Sequence, residues 1–547
     1  MVIDVLVAEI GSTTTVVNAF QNLDSDDPLY LGQGQAPTSV LDGDVRIGLS
    51  SAIEDLKSKL GLDSLNYREM LATSSAAGGL KMTVHGLVYD MTAKAAKEAA
   101  LGAGGIIHYI TSGRLRRTDM AKIRKIHPNL ILIAGGVDYG ERETAISNAE
   151  MIRAMNLKIP VIYAGNIENQ EEMKLIFPEE EGEQLYVVDN VYPKIDDLNV
   201  EPCRKVIQDA FEENITHAPG MEYVRDMVNG PIIPTPGAVM ECTKLLYDYL
   251  GNLIVLDVGG ATTDLHSVTE ESDQVARIMI SPEPKAKRTV EGDLGVYVNR
   301  MKVVESIGEE KLREECARRG FSMEDALKSY HAIPKNPEEV ALVELLTREA
   351  VLKAAERHAG QLRYVYGPSG RSTVAEGKDL TQVQYIVGTG GALTRLPGRE
   401  EIMAEIATHN ESGMMLLPTK HAKILVDNDY IMASLGVLSK RHREAAVRLL
   451  GKSLGVDLMH LRDLNAKDRY HGTTTQEMSS KVDRELDRLQ EEMSIHDEEL
   501  QKHIEECEAL GYDMSAYKKE GGHQDMGDCS HDCTHCTRPH CPNRQAV

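Results

Sequence analysis

One short pattern occurs twice in this chain: an apolar run, an acidic residue, a small residue, glycine and a cluster of hydroxyls. It reads Glu9-Ile10-Gly11-Ser12-Thr13-Thr14-Thr15 near the start, and Asp257-Val258-Gly259-Gly260-Ala261-Thr262-Thr263-Asp264 about 250 residues later. Solenoids and propellers repeat every 20–50 residues or so, and this separation is far longer. Two similar lobes facing one cleft account for it. Each copy ends an apolar run, Val2–Ile10 and Leu253–Val258, and three further runs (130–134, 161–164 and 385–387) also stop at glycine. Short runs rich in Val and Ile and bounded by glycine favour buried strands. Between them, 93–103, 338–359 and 399–409 carry apolar residues at helical spacing. Strands alternating with helices indicate an α/β architecture with covered sheets.

The 547 residues suffice for three or four units and a large core. With no Trp and 4 Phe, that core must be aliphatic. A formal charge of −25 weighs against a surface built to grip nucleic acid or anionic lipid. No run approaches the ~18 apolar residues of a membrane helix. The first residues lack a basic segment and carry Asp4, so they read as the first strand of a cytoplasmic protein. Cys203, Cys242 and Cys316 are too widely spaced to suggest a disulfide framework.

The glycine turns are where chemistry is expected. Backbone N–H groups in a turn begun by Gly11 form an anion nest, and the hydroxyls of Ser12, Thr13, Thr14 and Thr15 add donors to phosphate oxygens. A strand followed by a Thr-rich hairpin gives the same letters without the function. In the second copy, Gly259 and Gly260 allow close backbone approach, and Thr262 and Thr263 offer donors. Glu9 and Asp257 are the candidate catalytic and Mg²⁺-positioning carboxylates, because hard oxygen ligands suit that ion and phosphoryl transfer needs a positioned water. A third turn, Gly388-Thr389-Gly390-Gly391-Ala392-Leu393, has the room to meet a nucleotide's sugar and base. Asp138 and Asn166 follow other glycine-ended strands, where ligands of α/β sheets often sit; paired strand-ending turns are the plainer reading.

In this order and spacing the three turns resemble the phosphate-one, phosphate-two and adenosine segments of the actin/heat-shock ATPase/sugar-kinase superfamily. Asp429-Tyr-Ile-Met-Ala-Ser-Leu-Gly436 resembles the helix that closes the second lobe there. The chain departs from that pattern at Glu9, where Asp is usual, and at Val16, where a basic residue is usual. A narrower resemblance rests on Thr73-Ser-Ser-Ala-Ala-Gly-Gly-Leu80, Ile131-Leu-Ile-Ala-Gly-Gly-Val-Asp-Tyr-Gly140, Pro160-Val-Ile-Tyr-Ala-Gly-Asn166 and Leu256-Asp-Val-Gly-Gly-Ala-Thr-Thr-Asp264. Together they are similar to the MutL/GlmL family, which accompanies adenosylcobalamin-dependent glutamate (methylaspartate) mutase and is unrelated to the mismatch-repair protein of that name. The resemblance covers roughly residues 1–440. It implies a two-lobed actin-like ATPase fold with duplicated ribonuclease H-like domains. It also implies ATP and Mg²⁺ as cofactors, and mutase subunits as partners that the protein reactivates, with homodimer formation left open. The expected organisation is a first lobe over 1–245 with an inserted α/β subdomain at about 76–190. A second lobe over 246–445, a helical segment over 446–515 and a flexible Cys/His-rich tail over 516–547 follow.

The end of the chain reads differently from the rest. Val482, Leu486, Leu489, Met493, Leu500 and Cys507 fit a heptad seam, which serves either a helix packed on the body or a coiled coil between chains. Cys529, Cys533, Cys536 and Cys541 could hold Zn²⁺ tetrahedrally. A cluster or redox role and a tail without metal are the alternatives. Three other functions remain open for the body. A small-molecule kinase would need a catalytic base that no motif announces, and an electron-donating dehydratase activator would need suitably spaced cysteines. A scaffold without turnover would be consistent with Glu9.

Overall fold

Hydrophobic strands with both faces covered form the centre of each lobe. The computed structural model describes residues 2–462 apart from 12–13, 40–43, 76–79, 216–220, 368–369 and 411. In the first sheet, β1 (Val2–Ile10) pairs antiparallel with β2 (Thr14–Gln21), and β2 pairs antiparallel with β3 (Leu29–Pro37). β4 (Asn66–Ser74) then runs parallel to β1 on its other side.

The chain next builds a second, wholly parallel sheet. Its strands are β5 (Lys81–Gly86), β6 (Ile106–Ser112), β7 (Leu130–Ile133), β8 (Val161–Tyr163) and β9 (Leu185–Val187), in the order β6-β5-β7-β8-β9. Helices Lys94–Gly102, Arg117–Ile126, Glu143–Ala154 and Gln170–Ile176 connect successive strands, as parallel pairing requires. After helices Glu201–Ile215 and Met221–Met227, β10 (Ile232–Pro234) returns to the first sheet beside β4, giving β10-β4-β1-β2-β3.

The second lobe repeats the first lobe's arrangement. β11 (Leu253–Val258), β12 (Thr263–Val268) and β13 (Ala286–Glu291) form an antiparallel meander. Helix Pro337–His358 and a separate hairpin, β14 (Gln361–Gly367) with β15 (Gly370–Glu376), intervene. β16 (Tyr385–Thr389) then lies parallel to β11, and β17 (Lys423–Val426) parallel to β16, giving β13-β12-β11-β16-β17. In each lobe the spatial order is third, second, first, fourth, fifth, with the same parallel and antiparallel pairs. The α/β class and the duplicated lobes expected from the two motifs are therefore the observed architecture.

Strand alternation explains how the lobes join. Val5 and Val7 of β1 and Leu253 and Val255 of β11 belong to one buried cluster, whereas Ile254, Leu256 and Val258 face a separate second-lobe core. The shared cluster is filled by helices Thr235–Leu250, Met432–Leu438 and Arg443–Leu454. Where the first two meet, a β-carbon on Gly436 would fall within the carbonyl of Ala238, so only glycine permits that approach. The heptad positions from Val482 to Cys507 and the four tail cysteines lie outside the described residues.

Candidate functional site

The two glycine hairpins share one register and one closing hydrogen bond. Ile10 pairs with Thr15 across the first and Val258 with Thr263 across the second, leaving four residues in each loop. The Gly11 N–H donates to the Thr14 carbonyl at 3.0 Å, and the Gly259 N–H to the Thr262 carbonyl at 2.9 Å. A β-carbon on Gly11 would stand 2.5 Å from the Thr14 oxygen, which is why the turn needs glycine there. Ser12 and Thr13 lie outside the described residues. Thr15 is fully buried and its hydroxyl shares a 2.9 Å hydrogen bond with Thr38; the Thr263 hydroxyl donates to the Leu294 carbonyl at 2.8 Å. Both hydroxyls hold their turns in shape, while Thr14 and Thr262 are half-buried at the loops.

The two candidate carboxylates occupy the same place in the two sheets. Glu9 lies opposite Thr73 of β4, and Asp257 opposite Thr389 of β16. Glu9 is buried, and its Oε1 accepts from Asn18 Nδ2 at 3.3 Å and from the Ser434 hydroxyl. Ser434 sits on helix Met432–Leu438, so that bond crosses from one lobe to the other. Burial pushes the Glu9 carboxyl up to about 7, with the nearby Asp427 charge adding to the effect. Asp257 is also pushed up to about 7, chiefly by burial and then by the charges of Asp264 and Glu9, against the pull of Arg288. Glu9 and Asp257 thus act on one electrostatic neighbourhood from opposite lobes.

The third turn closes on Asp257. Gly390 has φ +83°, and a β-carbon there would stand 2.5 Å from Asp257 Oδ1. Gly391 is exposed with open space where a β-carbon would be, whereas Gly388 is buried against Met403.

Sequence reasoning missed Asp427, which ties this region together. It is buried and accepts from the Thr389 hydroxyl at 2.9 Å, the Ser453 hydroxyl at 2.6 Å and the N–H groups of Ile431 and Met432 at 3.2 and 2.9 Å. Those backbone donors begin helix Met432–Leu438, where a carboxylate is favourable. The signal was an Asp ahead of an apolar helical run, although the neighbouring Asp429 drew attention instead. Asp264, the last residue of the second motif, accepts from Arg288 Nη2 at 3.3 Å, and both side chains are buried.

Three carboxylates in this region, Glu9, Asp257 and Asp427, are raised by burial, and Asp427 already accepts two hydrogen bonds at each oxygen. Carboxylate oxygens are the ligand type that a divalent cation such as Mg²⁺ takes. Among the described residues no group of three His, Cys, Asp or Glu side chains is placed to enclose a metal.

Comparison with known proteins agrees with these motifs. The MutL protein family matches residues 5–454. Protein MutL of Clostridium tetanomorphum is 35% identical over 462 residues, covering 82% of this chain and 98% of that protein. The chain belongs to the MutL family. Solved structures are far more distant. Nucleotide-free acetone carboxylase is 12% identical with a TM-score of 0.37, covering 80% of this chain and 70% of its own. The nucleotide-free diol dehydratase-reactivating factor is 12% identical with a TM-score of 0.33, covering 80% of this chain and 99% of its own. Neither superposition is close enough to transfer any property.

Two further motif residues of this MutL-family chain are brought together in the inserted sheet. Asp138 Oδ1 accepts the Ile167 N–H at 3.0 Å, and Asn166 Oδ1 accepts the Tyr139 N–H at 3.1 Å. No helix among the described residues is long and apolar enough to cross a membrane.

Proposed function

We propose that this MutL-family chain binds Mg²⁺ and ATP between its lobes and uses the nucleotide to reactivate an adenosylcobalamin-dependent mutase of the glutamate/methylaspartate type. The observation that carries the nucleotide reading is the matched pair of hairpins, with Glu9 and Asp257 at one register position in two like sheets. The choice of mutase as target comes from the family resemblance.

In this reading the Gly11 and Gly259 N–H groups close the turns, the backbone N–H groups of 12–14 and 260–262 receive phosphate oxygens, and Gly388, Gly390 and Gly391 border the sugar and base. Glu9 and Asp257 hold the hydrated cation. ATP, when bound, supplies a phosphoanhydride that water can cleave. Asp257, with a carboxyl near neutrality, is suited to take a proton from a water held against it. Glu9 is linked to the second lobe through Ser434, so changes of charge at the cleft bear directly on lobe closure. Two nucleotide states then need differ only in their affinity for the mutase.

The experiment is ATP hydrolysis with and without mutase carrying inactivated cobalamin. Hydrolysis should rise on addition of that mutase, and Asp257→Asn should lower the stimulated rate by about 10²-fold or more, the scale of general-base loss. ATPase activity indifferent to the mutase would remove the target. Calorimetry that detects no ATP binding would remove the nucleotide reading, leaving a scaffold.

A further inference from the structure

The order of the inserted sheet, β6-β5-β7-β8-β9, reverses beside β5, because the chain leaves that strand toward one edge and later strands are added toward the other. In open parallel sheets, the loops that part at such a reversal frame the binding surface outside the carboxyl ends of the strands. Here the two that part, after β5 and β7, span 87–92 and 134–142, and the loops after β8 and β9, 164–169 and 188–197, lie along the same edge. Val88, Tyr89, Tyr139, Ile167 and Ile195 lie on these loops, and all are exposed, Tyr139 by 77%. They are five of the 17 large apolar side chains left exposed among the described residues. Single exposed apolar residues are ordinary, but a set gathered at one sheet edge marks an interaction surface.

These loops are held in place. Asp138 Oδ1 accepts from Ile167 N–H and from Asn190 Nδ2, each at 3.0 Å, and the Asp138 N–H donates to the Pro193 carbonyl at 2.9 Å. Tyr139 sits at φ +62°, which glycine adopts freely and bulky side chains rarely do. An aromatic ring kept in that conformation while mostly exposed contributes little to the core, so its use lies outside the fold.

The same hydrogen bonds narrow the occupant. Thr92 Oγ1 accepts from Leu87 and Val88 N–H at 2.8 and 3.1 Å, and the Tyr139, Ile167 and Glu168 N–H groups are taken by Asn166 and Asp138. These five N–H groups are spent within the loops and are not free to cradle a phosphate. The four loops hold seven acidic residues and two basic ones, in a chain of net charge −25. A second copy or an anionic membrane would be repelled, whereas an apolar face ringed by Lys and Arg is complementary.

We propose that this edge is the docking surface for a partner protein with an apolar face and a basic rim, namely a subunit of the mutase. The partner's identity rests on the proposed function; none of the residues assigned to the nucleotide lies on these loops. Lys94, just past the first of these loops, pairs with Glu283 of the second lobe at 2.5 Å and donates to the Ser281 hydroxyl at 2.9 Å, which links the edge to the lobe that would move.

The test uses the full chain and a purified adenosylcobalamin-dependent mutase, with binding followed by sedimentation in the absence of nucleotide and with ADP or ATP. Tyr139→Gly and Ile167→Asp should each weaken binding at least tenfold, and rising salt should weaken the wild type. Tyr139→Gly should melt no lower than the wild type, because glycine suits that φ, and should bind ATP as before; it decides the matter if Ile167→Asp fails to fold. Mutase binding that survives both substitutions overturns the surface and leaves the reactivation reading standing. A wild type that binds no mutase in any nucleotide state overturns both. Hydroxocobalamin retained by the free wild type and lost from Tyr139→Gly would assign the edge to a small ligand and overturn the protein-docking proposal.

Discussion

Replacing Glu9 with glutamine should stabilise the nucleotide-free protein at alkaline pH. Glu9 is buried, and its carboxyl is pushed from 4.5 up to about 7, chiefly by loss of hydration. The folded chain therefore holds this proton more tightly than the unfolded chain does. Below 4.5 the group is neutral in both states and costs nothing. As pH rises through the window from 4.5 to about 7, the unfolded state ionises first and stability falls. Above 7 the whole difference is expressed, about 3 kcal/mol at about 1.4 kcal/mol per pH unit. Glutamine keeps an oxygen to accept from Asn18 and Ser434 and carries no charge. It also removes one of the charges that raise Asp257, which adds to the gain. With an unfolding entropy of about 2 cal/mol/K per residue, the melting point of a cooperative unit this size should rise by roughly 3 °C at pH 8, and by less than about 1 °C at pH 5. Circular dichroism melts in chelator suit a chain with no Trp. Magnesium and ATP should raise the wild-type melting point at pH 8 and do so much less in Glu9→Gln. A variant less stable than wild type at pH 8, or a gap equal at pH 5 and pH 8, would refute the reasoning.

Other expectations concern the joints between parts. Gly436→Val should separate helices Met432–Leu438 and Thr235–Leu250, since a β-carbon there would enter the Ala238 carbonyl; a loss of about 1–3 kcal/mol or more, the range for overpacking, is expected in denaturant unfolding. Arg288→Met should leave Asp264 buried without its ion pair, at a cost of about 3–5 kcal/mol near neutral pH; adding Asp264→Asn should recover part of it, and strict additivity of the two losses would contradict the pairing. Asp427→Asn should weaken the start of helix Met432–Leu438 by about 1–2 kcal/mol while lowering the Glu9 titration midpoint, which carboxylate-resolved NMR can follow.

How much was legible beforehand follows from which interactions are local. β1 and β11 stand where their apolar runs lie, because a central strand covered on both faces must be hydrophobic along nearly its whole length. β3, β6 and β13 gave no such sign: each is half-exposed or mixed in character, and its pairing depends on a neighbour already in place. The identity of the turns was similarly local, since Gly11 and Gly259 close hairpins over four residues.

The amino-acid order alone determined the two hairpins, the acids that precede them and the duplicated α/β plan, because turn geometry and strand hydrophobicity act over a few residues. Only the assembled lobes decided that Ser434 would bond Glu9, that Asp427 would raise it, and that Thr15 and Thr263 would turn their hydroxyls to the protein. They also decided that four loops far apart in the chain would bring five apolar side chains to one sheet edge. Burial and charge act through space, and partners hundreds of residues away leave no mark on the local pattern.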